Sequence, residues 1–297
     1  MRRDNRRGSV YNFSERAYLS CHVSSNVNHR FEIACALGIY SFSFFSMPII
    51  SLAIILLLQF SILGQSQPDQ NKLRRADALY AQYRSSEDLS VLKEAAALLD
   101  GLEKVDPANY EARWRCARAY QSLGDDTKPN AEELRLLELA IESGKRAVEI
   151  KPYGVEGHYW LGVSYGTYGE VKGMFKALSL VKSIRKEMDS VIRINAAHEN
   201  GGAYVVLGKI DFELPGLMGG NKKRAIQEYE QGLKIAPSNP LLKVYLAESY
   251  IDDSRKDEAR AMLDQVLAAK QGPQPSPELR DAQRDARKLY DKHFAKK

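Results

Sequence analysis

The residues of this 297-residue chain that could do chemistry are few and scattered. Histidines stand at 22, 29, 158, 198 and 293. A zinc site needs nitrogen and sulfur ligands at short regular spacing, which these histidines do not offer. Cys21 and Cys35 lie near the N-terminus, leaving Cys116 as a single thiol with no histidine motif around it. His198-Glu199, in "NAAHENGGAY", has the residue types of an acid–base pair. Such a pair needs a further partner, and with none in view the segment reads as a polar turn after a helix. Asp252-Asp253 brings too few clustered oxygens for calcium and also reads as a turn. No glycine-rich phosphate loop is present. The expectation is a protein with no catalytic residue, no cofactor and no metal.

Binding chemistry is better represented. In "ELPGLMGGNKKRAIQEYEQGLKIAP" an apolar, glycine-rich break precedes Asn221-Lys222-Lys223-Arg224. Asn221 is a good helix N-cap. Three cations then follow where the helix dipole favours anions by about 0.3–1 kcal/mol per charge. Asn221, Lys222, Lys223 and Arg224 are therefore a candidate anion site, set against a plain solvated helix start. Leu217 and Met218, in the break itself, are expected to cover a neighbouring repeat or a partner. Trp114, Tyr159, Trp160 and Tyr204 are aromatic candidates for ligand or partner contact, or else core residues.

The elements that must position these residues follow from periodicity. From Asn71 onward apolar residues recur at three and four, as in amphipathic helices. A register then repeats. It runs Ala95, Leu99, Leu102, Pro107; then Ala140, Gly144, Ala147, Pro152; then Ile184, Met188, Val191, Ala196. It continues with Ala225, Tyr229, Gly232, Pro237, and with Ala259, Leu263, Val266. Small residues let one helix lie close to its partner, a large one fills the gap, and proline stops the helix. Cues for the partner helices are "WLGVSY", "VLGKID" and "YLAESY". The fold class expected is all-α: an antiparallel helix-pair solenoid of about five repeats over 70–274, with a charged capping helix over 275–297. Its units run to 41–45 residues, against about 34 in the tetratricopeptide unit. The extra residues are expected in loops between paired helices, at "GDDTKPNAEE", "GTYGEVKGMFKA" and "ELPGLMGG".

Residues 1–32 hold six arginines and three acids, so +3 of the net charge of +5 sits there, in what reads as a disordered basic leader. The rest carries no basic stripe, and nucleic acid binding is not expected. No charged residue occurs from Ile33 to Pro68. The segment 33–66 reads either as a cleaved signal peptide or as a retained membrane anchor, with translation starting at Met1 or Met47. Both readings export the repeats, to the periplasm or beyond, or hold them at the inner membrane. Membrane contact is expected only through that segment, if it is uncleaved.

"HYWLGVSYG" and "KALSLVKSIRKEMDSVIRINAAHENGGAYVVLGKIDFELPGLMGGNKKRAIQEYEQGLKIAPSNP" resemble the TatT-like tetratricopeptide proteins, the T-components of tripartite ATP-independent periplasmic (TRAP) transporters. The likeness covers about 150–270, and its most specific part is the "LP…GG…A…Y…G" segment. A more distant likeness is to the regulator of microtubule dynamics proteins. The TatT-like resemblance implies a helical protein with a pore or cleft, a periplasmic solute-binding protein as partner, and an oligomer. The expected function is a non-enzymatic repeat scaffold that binds a protein, or a small apolar or carboxylate ligand, as an accessory to TRAP-type uptake. The alternative is an envelope assembly adaptor binding peptide or protein segments.

Overall fold

The computed structural model of the chain describes residues 69–127, 131–272 and 276–294. The leader (1–32) and the segment read as signal peptide or anchor (33–66) lie outside them. No helix among the described residues is long and apolar enough to cross a membrane.

Eleven α-helices and no strand occur among the described residues. They are α1 (69–86), α2 (Leu89–Val105), α3 (Tyr110–Asp126), α4 (Ala131–Ile150), α5 (Val155–Lys172) and α6 (Met174–Asn195). The remainder are α7 (Gly202–Glu213), α8 (Lys222–Ile235), α9 (Pro240–Asp252), α10 (Lys256–Ala268) and α11 (Pro277–His293). Consecutive helices pair as α3/α4, α5/α6, α7/α8 and α9/α10, and α1 shares one buried cluster with α2, which makes five repeats and a final helix among the described residues.

The repeating register is the buried stripe of the second helix in every pair. Ala95, Leu99 and Leu102, Ile184, Met188 and Val191, and Ala259, Leu263 and Val266 are all buried. So are Ala140, Gly144 and Ala147 of α4 and Ala225, Tyr229 and Gly232 of α8. In α2, α4 and α8 the last helical residue precedes Pro107, Pro152 or Pro237 by two positions, since proline cannot continue the hydrogen-bond ladder. In α5 and α7 the first helix of the pair answers with glycine. A Cβ on Gly208 would stand 2.3 Å from the Tyr229 ring, and one on Gly162 would stand 2.2 Å from Met188 Cε. Close approach, not conformational freedom, is why glycine sits there.

One expectation about the insertions needs correcting. "GTYGEVKGMFKA" is not a loop: α5 runs on to Lys172, Gly173 turns at φ 94°, and α6 starts at Met174. With no proline and one glycine at the turn, the extra residues lengthen the helices, and α6 reaches 22 residues. The insertion in the fourth repeat does form a loop, 214–221, with a 3-10 turn at Gly216–Met218.

Helix α11 packs on α9 and α10, burying Ala282 and Ala286. Gln283 Nε2 donates to the carbonyls of Val266 and Ala269 at 3.1 and 2.7 Å, satisfying the open end of α10. The start of α11 also meets the first repeat: Glu278 accepts from Arg84, and Arg280 pairs with Glu87 at 2.5 Å.

Candidate functional site

The fourth-repeat loop rests on a buried ion cluster. Asp211, near the end of α7, has no exposed side-chain surface. Arg185 of α6 donates to its Oδ1 at 2.6 Å and Oδ2 at 3.2 Å. Arg224 of α8 donates Nε to Oδ2 at 2.6 Å and Nη2 to Oδ1. Burial pushes the Asp211 carboxyl up, but hydrogen bonds from Arg224 and Arg185 outweigh it and hold the group below the ordinary Asp value. Asn221 caps α8 by accepting from Arg224 N at 3.1 Å, and Lys222 pairs with Asp252 at 2.6 Å. Lys223 is exposed. Two of the three cations at this helix start thus face carboxylates of the chain itself.

Each glycine at the loop's end has a physical reason. Gly219 stands at φ 93°, a left-handed conformation that costs a side chain energy. A Cβ on Gly220 would lie 1.8 Å from the Leu214 carbonyl oxygen. The Pro215 carbonyl accepts from Met218 N at 2.8 Å and Gly220 N at 3.2 Å, and Asn221 N donates to the Asp211 carbonyl at 2.8 Å. The loop is therefore hydrogen-bonded within itself and to α7, and it holds its apolar side chains outward. Leu217 is 104% exposed and Met218 45%.

Between this loop and α6 runs an open groove of about 580 Å³. Leu178, Val181 and Met218 give it an apolar lining. Lys182, Arg185, Lys186 and Arg193 contribute four cations against the one carboxylate of Asp189, a net +3. The α6 residues fall at i, i+3, i+4, i+7, i+8, i+11 and i+15, one helix face. Glu228 of α8 also belongs to this neighbourhood: burial pushes its carboxyl up, as do the charges of Asp211 and Asp189. Phe175, one turn before Leu178, is 91% exposed, and its neighbour Met174 57%. Arg193 Nη2 reaches Ser190 at 2.9 Å, and Lys186 stands 3.7 Å from Glu187.

The aromatic candidates separate from this groove. Tyr159 and Trp160 are fully buried, edge to face at 5.2 Å, and present no surface. Trp114 is 7% exposed, its ring covered by the Arg115 guanidinium at 4.1 Å and its Nε1 donating to Glu111 at 3.0 Å. Tyr204 is half-buried against α8. Core and binding-site aromatics share one helical spacing, so sequence does not separate them. Its reading missed Asp211 and the α6 face, although "LSLVKSIRKEMDSVIR" carries that face as a cationic stripe opposite the buried one.

Other titratable groups are structural. His158 Nδ1 lies 2.5 Å from a Glu187 carboxylate oxygen and Nε2 lies 2.9 Å from the Pro152 carbonyl oxygen. The hydrogen bond to Glu187 raises its pKa, as expected of a ring with acceptors at both nitrogens. His198 sits in the turn that Glu199, Asn200 and Gly201 make in the left-handed region. Its ring lies 5.2 Å from Tyr159, and burial lowers its pKa to about 4. Asp252 and Asp253 end α9 at a turn. Asp100, Glu103 and Cys116 bring ligand-type atoms within 4.8 Å of one another, a grouping the linear sequence conceals. Burial and Glu103 push that thiol well up, Glu103 itself is raised by burial, and Tyr120 donates to both oxygens of Asp100 at 2.7 Å.

Comparison with known proteins matches these helix pairs. The family model for regulator of microtubule dynamics protein 1-3 matches residues 72–218, a little under half of the chain, and a tetratricopeptide repeat model matches residues 218–284. The crystal structure of TTC0263, a thermophilic TPR protein of Thermus thermophilus, superposes with a TM-score of 0.54 at 24% identity, covering 74% of this chain and 98% of that one. Residues 218–284 match the tetratricopeptide repeat, and the described helices share the helix-pair fold of that solved protein. The crystal structure of MamA is similar at 20% identity and a TM-score of 0.43, over 71% of this chain and 95% of that one. No curated protein matches the chain. Neither matched family model describes TatT-like proteins. A tetratricopeptide-type scaffold suggests protein binding, and the fold is typically non-catalytic.

Proposed function

We propose that this tetratricopeptide-repeat protein is a non-enzymatic scaffold that holds a partner protein on the surface formed by the 214–221 loop and α6. The observation that carries the reading is that Leu178 and Met218 line one groove, while exposed Phe175 precedes Leu178 by one turn of α6 and exposed Leu217 precedes Met218 in the loop. Apolar side chains scattered singly are ordinary, but a group fixed outward by a hydrogen-bonded loop marks an interaction surface. The loop is already in place, which lowers the ordering cost of association.

The finer reading keeps the TRAP association and the export. It rests on the TatT-like resemblance of 150–270 and on the charge-free segment 33–66. In that setting the partner is a solute-binding protein of the periplasm; in the alternative it is a segment of an envelope assembly.

The test is affinity isolation from the native cell with quantitative mass spectrometry. The double variant Phe175→Ser/Leu217→Ser is compared with the wild-type chain. The expected result is one protein enriched on the wild type and depleted at least about tenfold on the variant, the scale of losing anchor contacts. Equal recovery on both would overturn the reading. Whether that protein is a solute-binding protein decides the TRAP association separately.

A further inference from the structure

The groove between α6 and the 216–218 turn is apolar along one side and carries an excess of cations along the other, with Asp189 as the one carboxylate of its lining. Leu178, Val181 and Met218 form the apolar lining, and Lys182, Lys186 and Arg193 line it with exposed cations. From Lys182 to Arg193 the positive charges extend over eleven residues of helix, about 16 Å at ~1.5 Å rise per residue. Arg185 lies among them, its charge already met by Asp211. A single anionic headgroup would satisfy one of these cations and leave the others facing its apolar tail. A row of carboxylates beside an apolar stripe satisfies all of them.

We propose that the groove receives an acidic amphipathic helix of a partner protein, lying alongside α6. Its apolar stripe meets Leu178, Val181 and Met218, extended by Phe175 one turn before Leu178 and by Leu217 beside Met218, and its carboxylates meet Lys182, Lys186 and Arg193. The inference rests on the scaffold reading above and adds the partner's chemistry. It places recognition on a second helix of a repeat and an inter-helix loop. The chain's own leader is a poor occupant, because its excess charge is positive.

The probe is a fluorescein-labelled synthetic helix of about 18 residues, five turns, with leucines at i, i+3, i+4 and i+7 and glutamates elsewhere. Its counterpart has every glutamate replaced by lysine. Both are titrated against the full-length chain and followed by anisotropy. The acidic helix is expected to bind saturably, to weaken as salt rises, and to bind far better than the lysine helix. Lys182→Glu/Lys186→Glu/Arg193→Glu should weaken it about tenfold or more, because three attractions become repulsions. Lys182→Gln/Lys186→Gln/Arg193→Gln should weaken it by less. These side chains are exposed, and an unchanged circular-dichroism melt confirms the fold of each variant.

Acidic and lysine helices that bind alike, or acidic binding that survives the triple charge reversal, would overturn the proposal. So would full displacement of the acidic helix by stoichiometric decanoate, which carries one carboxylate. Should the native partner depend on Phe175 and Leu217 while the acidic helix ignores the charge reversal, the scaffold reading stands and the acidic partner is refuted. Should the acidic helix bind as predicted while no native protein depends on Phe175 and Leu217, the groove's chemistry stands and its use as a scaffold falls.

Discussion

His158 holds acceptors at both ring nitrogens, Glu187 on one side and the Pro152 carbonyl on the other. A neutral imidazole carries one N–H, so both bonds form fully only in the imidazolium. The folded pKa therefore lies above the ordinary value of about 6.5. The folded chain keeps this proton to higher pH than the unfolded chain does. The stability this adds is complete below about pH 6.5 and is lost as pH rises through the folded value. His158→Gln is expected to cost about 2 kcal/mol near pH 6, the scale of a buried hydrogen bond to a charged group. The cost should shrink by pH 9, and urea unfolding of both proteins at the two pH values measures it. A pH-independent difference would mean that folding leaves the His158 pKa unshifted, and a cost that grows with pH would mean that it is lowered. The same scale explains what sequence hid at the Asn221–Arg224 segment. Arg224 looked misplaced against the helix dipole because its anion, Asp211, comes from another helix thirteen positions upstream.

Single elements were legible wherever packing is local. The buried stripe of α2, α4, α6, α8 and α10 coincides with the repeating register read from spacing alone. Proline and glycine punctuated it, and both act on the backbone directly. The loop-like reading of "GTYGEVKGMFKA" failed because glycines within a helical pattern are tolerated when another helix must approach closely, as Ala177 does at Gly169. The groove was not legible at all. It needs the α6 face and the 216–218 turn in one place, and no spacing rule connects residues 178 and 218. The loop allows a sharp test of preorganisation. Gly220→Ala drives a Cβ into the Leu214 carbonyl and should cost about 1–3 kcal/mol, as overpacking does. It should also weaken partner binding. Gly216→Ala, with open space around the added carbon, serves as the control. Differential scanning calorimetry and the anisotropy assay read both effects, and equal behaviour of the two variants would contradict the account of the loop.

At the scale of the molecule, α11 does more than cover the last repeat. Its first turn joins the first repeat through Arg84–Glu278 and Arg280–Glu87, 194 and 193 positions apart. The Arg84 and Glu278 side chains are 10% and 16% exposed, so their pairing is shielded from solvent. Glu278→Lys sets two cations together and is expected to lower stability by about 2 kcal/mol, on the order of 5 °C in Tm. Arg84→Glu/Glu278→Lys should recover at least half of that loss. Recovery is the informative part, because a double variant no better than the sum of its singles means the two side chains do not interact.

The central claim is that one surface, at Phe175 and Leu217, holds a protein partner. The direct measurement is photo-crosslinking in the native cell, with a benzophenone amino acid placed in turn at positions 175, 217, 105 and 153. Val105 and Tyr153 are comparison sites, being 74% and 84% exposed and apolar as well. The account predicts one discrete protein adduct shared by positions 175 and 217 and absent from 105 and 153. No adduct at 175 and 217, or the same adducts at all four positions, would contradict it.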